Sequence, residues 1–537
     1  MKRYKFLIFL LIPFLTACLD DKGNYEYRNL GDIVIENVPE VIEVLSNADP
    51  IVINPKVTST TEGEIKDGNP NYQFIYRFDL KAGTLNDKGG PWIVLNPEGR
   101  MNLDTLATFA SNDYIGCFTV KDLRNGLETY KTFDVKITSP TYEGWMVLCN
   151  EGDDNRVRFD MVSRISAERI IPVHDILGDL GLPECHNATQ IGFAPGRVGS
   201  ASGSDVIYVL SETGSYIINK ETFKTDESWD MKNIDFMLPP MDQPVRWGAL
   251  NDGFLFNNTV RLCVTSGGDV YAKTESRSGA SFELPINTSV RGGKPEYKVA
   301  PFIGFSQLRP GNAESALLYD IDHKRFVGWA KVENADGRQV LTPLQDPANK
   351  LFSFQTGKDL VYMEGTRFSG GVTYAVLQDK SGERNVYAIN MGGQEFRQES
   401  VYNTINAPEF KQATKFAFHS QYPFMFCAVK NKVYLYDFGT ATNYPLPDIN
   451  LNDTEEVTML KFNLYQNPDL TTLSDQSDEF MARQYDLMVG SYDAMAGKNG
   501  GKLGFYRVNR TMHSVSKLEE YDGFAKIVDV VYRERRK

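Results

Sequence analysis

Histidine, cysteine and carboxylate side chains hold metals in proteins, and their spacing in this chain is poor for that purpose. The five histidines are His174, His186, His323, His419 and His513. His174 and His186 lie on either side of Cys185, so a metal held by this loop is one interpretation. Ordinary polar loop residues are the favoured one, because the histidines share no metal-binding spacing. The sequence therefore predicts no metal and no cofactor.

Two acidic turns, residues 151–155 and 320–323, carry clustered oxygen atoms that would suit calcium. Neither turn forms the loop of about twelve residues, closed by a glutamate, that is typical of calcium sites. Aspartate and asparagine also occur in hairpin turns for conformational reasons alone. The turn interpretation is favoured for both segments.

No catalytic motif is present: the chain lacks HExxH, GxSxG, a Walker loop and a GxGxxG that opens a helix. Hydrolysis of a glycoside needs only two carboxylates about 5–10 Å apart. With 70 acidic residues, the sequence leaves a surface hydrolase or lyase as a second hypothesis without a named catalytic residue. Trp229 lies among polar residues and is a candidate contact for a sugar or peptide. Trp145, Trp247 and Trp329 adjoin apolar strands and are predicted to lie in the core.

The composition limits the partners and the redox chemistry. The chain has a formal net charge of −13, and its one basic cluster is the tail at residues 533–537. An acidic protein without a basic stripe is a poor nucleic-acid binder, so no nucleic-acid partner is predicted. Five cysteines follow position 18, none in a CxxC pair, and an odd number cannot all pair internally. Four of them lie in apolar runs and are predicted to be buried, free thiols.

A unit of two apolar strands joined by a turn recurs along residues 140–537. The units are residues 144–149 with 156–159, 205–210 with 214–218, 261–264 with 269–273, 316–320 with 325–329, 359–363 with 373–377 and 385–389, 424–429 with 432–437, and 485–490 with 501–508. Seven units of about 55 residues each predict a β-propeller, with six or eight blades as the alternatives. Residues 524–532 are similar to the strand at 457–462. They are predicted to complete the first blade, whose own inner strand is missing before Tyr142.

Residues 31–139 read as a separate β-sandwich of immunoglobulin type. Alternating runs occur at residues 32–38, 50–57 and 72–78, and the segment closes with a hairpin of residues 114–122 and 132–137. The hairpin resembles the closing strands of PKD-like domains. Together with residues 19–27 it resembles the PKD-like lipoprotein family of Bacteroidetes. The predicted fold is thus all-β: a PKD/Ig-like sandwich, a joint at Ser139 and Pro140, and a propeller.

The first residues read as a secretory signal. A cationic start is followed by an apolar run at residues 6–14, which is shorter than the roughly 20 residues of a membrane span. Residues 15–18, Leu-Thr-Ala-Cys, resemble the lipobox of bacterial lipoproteins; the alternative is a plain signal peptide with an incidental cysteine. The resemblance implies removal of residues 1–17 and lipid chains on Cys18. Loss of three basic residues would leave the mature chain at −16 in place of −13.

Residues 18–30 are predicted to be a tether. Asp20 and Asp21 resemble the surface-export signal of Bacteroidetes lipoproteins, and a solvated linker of the same composition is the alternative. The predicted location is the outer membrane, lipid-anchored and facing the exterior, with the periplasmic face as the alternative. Residues 104–106 resemble the O-glycosylation sequon of secreted Bacteroidetes proteins, with Thr105 as the acceptor.

The family resemblance also implies a role. PKD-like lipoproteins are typically encoded beside SusC- and SusD-like proteins, which form TonB-dependent importers for glycans or peptides. The resemblance implies an accessory binding or assembly subunit of such an importer, with a peptide or an oligosaccharide as the ligand. A purely structural subunit is a third hypothesis.

Overall fold

The computed structural model describes residues 31–534 except 47, 82–92, 97, 167, 179, 195–205, 220–222, 251–259, 275–280, 291, 306–314, 331–339, 393–394, 404–406 and 466–476. The predicted signal sequence and tether, with Cys18, Asp20 and Asp21, lie outside the described residues. The chain divides into two compact units, Met1–Ser139 and Pro140–Lys537. No helix in the described part of the chain is long and apolar enough to cross a membrane.

The first unit is built from ten described strands, rich in β-branched and aromatic residues that suit a pleated, half-buried surface. They are β1 (Ile33–Glu36), β2 (Val41–Leu45), β3 (Pro50–Ile53), β4 (Lys56–Ser59), β5 (Gly63–Ile65), β6 (Tyr72–Leu80), β7 (Ile93–Val94), β8 (Leu103–Leu106), β9 (Asn112–Asp122) and β10 (Glu128–Thr138). They form sheets in the orders β1-β4-β5, β2-β10-β9-β6-β7 and β3-β8. All three sheets contribute to one hydrophobic core.

The predicted closing hairpin is confirmed as β9 and β10, which pair antiparallel around a turn with Gly126 at φ +77°. The single strand predicted at residues 50–57 is wrong. This segment contains two strands: β3, which pairs with β8, and β4, which pairs with β1. Pro55 lies at the division, and because proline has no N–H to donate, the ladder of one sheet ends there.

The second unit contains the remaining strands. They are β11 (Gly144–Glu151), β12 (Arg156–Arg164), β13 (Ile170–Val173), β14 (Ala188–Ala194), β15 (Val206–Ser211), β16 (Tyr216–Ile218), β17 (Pro244–Leu250), β18 (Val260–Thr265), β19 (Val270–Thr274), β20 (Gly304–Phe305), β21 (Ser315–Asp320), β22 (Arg325–Ala330), β23 (Thr342–Pro343), β24 (Asp359–Gly365), β25 (Val372–Gln378), β26 (Arg384–Asn390), β27 (Arg397–Asn403), β28 (Lys415–Phe418), β29 (Phe424–Val429), β30 (Lys432–Asp437), β31 (Thr442–Pro445), β32 (Glu455–Phe462), β33 (Leu487–Asp493), β34 (Gly501–Asn509), β35 (Ser514–Phe524) and β36 (Lys526–Arg533).

Helices are short and few in the described residues of this unit. The α-helices are α1 (Met231–Ile234) and α2 (Ser477–Arg483), and 3₁₀ turns occur at Glu227–Trp229, Phe368–Gly370, Pro408–Gln412 and Ala494–Asn499.

These strands form seven antiparallel sheets of three or four described strands. In chain order their strand orders are β13-β12-β11-β36, β14-β15-β16, β17-β18-β19, β20-β21-β22-β23, β24-β25-β26-β27, β28-β29-β30-β31 and β32-β33-β34-β35. Each strand pair predicted from the sequence is an antiparallel neighbour pair in one of these sheets.

Hydrophobic clusters join each sheet to the next. Six clusters pack the first sheet on the second and so on to the sixth on the seventh. A seventh cluster contains Phe505 of the seventh sheet and Trp145 and Val530 of the first. Every sheet therefore packs against two others.

The last strand of the chain belongs to the first sheet. β36 pairs antiparallel with β11, with Trp145 opposite Tyr532 and a register shift after Leu148. This confirms the prediction that the C-terminal strand completes the unit that begins near Tyr142. Pairing covers an edge of β11 that would otherwise expose unpaired backbone groups.

Four of the five cysteines that follow position 18 are buried, and all five are free. Cys117 is the partly exposed member of the set. Trp145, Trp247 and Trp329 are buried, as the sequence predicts.

Candidate functional site

The seven sheets each contribute one strand to a common centre. These strands are β36, β14, β17, β20, β24, β28 and β32, and consecutive members are in contact from β20 through β24, β28, β32, β36 and β14 to β17. Between β17 and β20 the approach is also close: a Cβ placed on Gly248 would lie 3.3 Å from the Phe305 ring. Polar residues on these strands can therefore reach partners in the neighbouring sheets.

One side of the centre carries an ion pair. Lys461 Nζ donates to Asp529 Oδ1 at 2.7 Å, which joins β32 to β36. The second carboxylate oxygen of Asp529 accepts from the backbone N–H of Ile191 on β14 at 3.1 Å. Asp529 is thus satisfied from two neighbouring sheets, while the Lys461 side chain stays 35% exposed.

Glu364 occupies another side of the centre, on β24. Its Oε2 accepts from the Tyr362 hydroxyl at 3.1 Å and from the backbone N–H of Phe418 on β28 at 3.0 Å. The side chain keeps some solvent contact, yet protein atoms surround it densely, and this desolvation raises the pKa of Glu364 to about 7. Burial also raises the pKa of Tyr362 well above its ordinary value.

Arg246 on β17 faces these groups from the third sheet. Its Nε donates to the Pro301 carbonyl at 2.8 Å, and its guanidinium lies 5.6 Å from the centroid of the Phe302 ring. Desolvation lowers the pKa of Arg246, and Asp529 and Tyr362 act in the opposite direction through their charges. Its two terminal nitrogens have no hydrogen-bond or ion-pair partner among the described residues.

These contacts form a closed circuit. Phe302 packs edge-on against Tyr362, with ring centroids 5.5 Å apart, and Lys461 acts electrostatically on Glu364. Every sheet contributes to this set of contacts: the sheets of β14 and β28 contribute backbone N–H donors, and the fourth sheet contributes through the segment before β20. We call the five polar side chains of this circuit the central cluster: Arg246, Tyr362, Glu364, Lys461 and Asp529.

The central cluster was not predicted from the sequence. Lys461 and Asp529 lie inside the two inner strands that the sequence comparison matched, and a charge in the middle of an apolar strand was the available signal. Arg246 and Glu364 carry the same signal on β17 and β24. Their convergence depends on packing between strands that are distant in sequence.

The candidate residues named from the sequence lie elsewhere. Trp229 is half-buried in the 3₁₀ turn that leads into α1, and it makes no ring contact with the central cluster among the described residues. Thr105 is half-buried on β8, opposite Ile51. Its O-glycosylation and the ligand contact of Trp229 stay predictions.

The histidines near Cys185 engage different partners. His186 Nδ1 lies 3.0 Å from the Asp154 carbonyl oxygen, whereas His174 Nδ1 lies 3.6 Å from Asp160 Oδ2. Cys185 is buried, which raises the pKa of its thiol to about 11. In the part of the chain that the structure describes, no three histidine, cysteine or carboxylate side chains form a group that could hold a metal.

Both acidic segments form hairpin turns. Gly152 and Asn155 have φ of +72° and +56° between β11 and β12. In the other turn, the fully buried Asp320 accepts from the backbone N–H groups of Asp322 at 3.1 Å and His323 at 2.9 Å, and from Arg325 Nε at 2.8 Å. The carboxylate thus organises the turn.

Replacing Asp320 by alanine is expected to lower the free energy of unfolding by about 2–4 kcal/mol, because buried donors lose a charged acceptor. Chemical denaturation checks the value, with Asp153→Ala, at an exposed position of the other turn, as the matched control. Added calcium should shift neither midpoint. A calcium-dependent rise that Asp320→Ala removes would contradict the turn interpretation.

An open groove lies between the outer strands of the fourth and fifth sheets. Its volume is about 550 Å³, and it is lined by Leu344, Gln345, Pro347, Asn349, Leu351, Phe354, Glu395, Phe396, Arg397 and Gln398. Gln398 is used internally, since its Oε1 accepts from the backbone N–H of Leu351 at 2.8 Å. The central cluster is the better candidate for a functional site than this groove, because several charged side chains converge there.

Comparison with known proteins shows a family similarity in the first part of the chain. Residues 18–175 match the profile of the PKD-like family. The match spans the first unit from position 18 and continues through β11, β12 and β13 of the second. No curated protein sequence matches the chain significantly.

Solved structures resemble the chain at low identity. A quinonprotein alcohol dehydrogenase-like protein from Bacteroides thetaiotaomicron is 11% identical with a TM-score of 0.42, over 94% of this chain and 99% of that one. A protein from Lactobacillus plantarum is 12% identical with a TM-score of 0.43, over 73% and 100%. The WD40 domain of SCAP from fission yeast is 9% identical with a TM-score of 0.33, over 63% and 74%.

Proposed function

We propose that this chain is a cell-surface lipoprotein that binds a small polar ligand at the central cluster and serves as an accessory subunit of a SusC/SusD-type importer. The observation that carries the binding role is that the seven sheets together supply the central cluster, in which Arg246 and Glu364 are partly exposed and each keeps polar atoms without a partner among the described residues. Unused polar atoms beside aromatic rings are suited to a ligand.

The second unit is a seven-bladed β-propeller in this proposal, with each of the seven sheets as a blade. The circular order of the seven hydrophobic clusters supports it, as does the pairing of β36 with β11, which joins the two ends of the unit. The sheets of a propeller are arranged radially around a central channel and leave only short, protected edges. The central cluster would line that channel.

The N-terminus supplies the anchor. Residues 1–17 are the signal peptide, Cys18 is the lipid-bearing first residue, and residues 18–30 are the tether to the sandwich at 31–139. The PKD-like match begins at position 18, which is consistent with a mature chain that starts there. Asp20 and Asp21 would direct the protein to the cell exterior, where the tether raises its local concentration beside an importer.

Co-purification tests the role. A tagged copy expressed in its native organism is solubilised in mild detergent and pulled down, with Cys18→Ala as the matched control. SusC- and SusD-like proteins are expected in stoichiometric amount with the wild type and to be strongly depleted with Cys18→Ala, because the anchor places the partners together. Recovery of the wild-type protein alone would refute the accessory role.

A second candidate function is cleavage of a polymer before import, by a hydrolase or a lyase reaction. The observation that favours it is Glu364, whose pKa of about 7 suits a general acid near neutral pH, together with a second carboxylate, Asp529, that belongs to the same cluster through Lys461. Mass spectrometry of an oligosaccharide incubated with the protein would reveal cleavage. Cleavage that Glu364→Gln abolishes without loss of binding would favour the enzyme over the binding subunit.

A further inference from the structure

The unpaired guanidinium of Arg246 defines what the central cluster can recognise. Nε is bonded to the Pro301 carbonyl and fixes the orientation of the group, while both terminal nitrogens stay open. A guanidinium presents parallel N–H donors that match the two oxygens of a carboxylate. The acid that acts on Arg246 electrostatically, Asp529, is already bonded to Lys461 and to Ile191 N. Among the described residues, the terminal nitrogens of Arg246 are thus available to an acceptor on a ligand.

The net charge of the cluster limits the ligand further. Lys461 and Asp529 neutralise each other, so the charge that remains is that of Arg246 when Glu364 is protonated. Complementarity then favours a ligand with one negative charge. With Glu364 protonated and Asp529 already paired with Lys461, the cluster offers no free anion to an added ammonium group, so a zwitterion such as a free amino acid or a short peptide is disfavoured.

The rest of the circuit suits hydroxyl groups. Glu364 has one oxygen bonded to Tyr362 and Phe418 and the other, Oε1, without a hydrogen-bond partner among the described residues. In the neutral form that favours an anionic ligand, that oxygen carries the proton and can donate to a ligand hydroxyl oxygen. The rings of Phe302 and Tyr362, 5.5 Å apart, supply apolar surface beside the polar groups.

We infer that the ligand of the central cluster carries one carboxylate on a hydroxylated body, the chemistry of a uronic acid residue, with the carboxylate on Arg246 and a hydroxyl on Glu364. This inference rests on the proposed ligand-binding function and chooses an acidic glycan over a peptide.

Binding of such an anion depends on pH through Glu364. The groups that face Glu364 are Tyr362 from its own strand, Lys461 from β32 and the Phe418 N–H from β28. An anionic ligand is repelled by the ionised form and accepted by the neutral form, so affinity is highest below the pKa and falls as pH rises through it. The neutral fraction of a group with a pKa of about 7 falls about tenfold from pH 6 to pH 8.

Calorimetric titration of the purified mature chain, with Cys18→Ala to keep it soluble, tests the inference. The probes are D-galacturonate, D-galactose, which has no carboxylate, and diglycine, which adds an ammonium group. D-galacturonate is expected to bind at least about tenfold more tightly than the other two, and about tenfold more weakly at pH 8 than at pH 6.

Three variants connect the result to the site. Arg246→Gln is expected to weaken D-galacturonate binding by about tenfold to a hundredfold, since it removes the charged donors. Glu364→Gln keeps a neutral side chain and should abolish the pH dependence while retaining affinity. Arg397→Gln, at an exposed position in the outer groove, is the matched control and should bind like the wild type. Melting curves verify that each variant is folded.

Contrary results separate this inference from the proposed function. Equal binding of galactose and galacturonate would refute recognition of a carboxylate. Tighter binding of diglycine would refute the preference for an acidic glycan, although the protein would still be a ligand-binding protein. Loss of binding in Arg397→Gln but not in Arg246→Gln would move the site to the groove. Failure of all three probes to bind overturns the inference, whereas the accessory role falls on the absence of importer proteins in the co-purification.

Discussion

Deletion of residues 526–537 is expected to unfold the second unit and to leave the first unit folded. The deletion removes β36, which pairs with β11 from Gly144 to Asn150. It also removes Ile527, Val530 and Tyr532 from the cluster that joins the seventh sheet to the first. Burial of each large apolar side chain contributes about 1.5–3 kcal/mol. With the lost backbone pairing, the total approaches the roughly 5–15 kcal/mol that stabilises a typical domain.

Calorimetry and limited proteolysis measure the outcome. The full-length protein should resist proteolysis in both units, and the deletion variant should leave a protected fragment that corresponds to the first unit, which has its own hydrophobic core. Deletion of residues 535–537 alone is the matched control and should melt like the wild type. A deletion variant that lacks β36 but retains a cooperative transition for the second unit would mean that the first sheet is stable without it.

Local patterns in the sequence were sufficient for the strand pairs of the second unit. Each predicted pair joins strands separated by seven residues or fewer, so local periodicity and turn residues determine it. The β36–β11 pair, which spans almost the whole unit, could also be predicted, because a strand without a partner occurred at each end. The prediction failed at residues 50–57, where alternation continues across Pro55 but the hydrogen-bonded partners change. Alternation of apolar and polar residues indicates which face of a strand is buried, but it does not indicate which strand pairs with it.

The central cluster was less accessible to sequence reasoning. Lys461 and Asp529 are bonded across 68 positions, and Glu364 receives its backbone donor from Phe418, 54 positions away. No motif spacing exists for residues that meet because seven separate strands converge. The candidates chosen instead, such as Trp229 and the histidines near Cys185, were chosen for residue type alone. Charged residues inside strands are costly unless they are paired or functional. All four charged members of the cluster lie inside strands, but so do other paired charges such as Arg158 and Asp160, so this criterion alone does not single out the cluster.

Replacing Trp145 by alanine is expected to lower the free energy of unfolding of the second unit by about 3–5 kcal/mol. Trp145 is 1% exposed, and its ring packs edge-on against Phe505 and Tyr532 with centroids 4.8 and 4.9 Å away. The guanidinium of Arg483 lies 4.8 Å from the ring centroid, and the indole N–H donates to Asn463 Oδ1 at 3.1 Å. Alanine leaves a cavity, an acceptor without its donor and a cation without its aromatic partner, all where the first and seventh sheets meet.

Urea unfolding followed by far-UV circular dichroism measures the change. Trp145→Phe should cost less than Trp145→Ala, because it keeps an aromatic ring and loses mainly the hydrogen bond to Asn463. Its expected loss relative to the wild type is about 1–3 kcal/mol. Trp229→Ala is the matched control at a half-buried position in a 3₁₀ turn, and its effect should stay below about 1 kcal/mol. Similar losses for Trp145→Ala and Trp229→Ala would contradict the special importance of the contact between the two end sheets. A large loss confined to Trp145 would mean that the contact between the first and seventh sheets limits the stability of the unit.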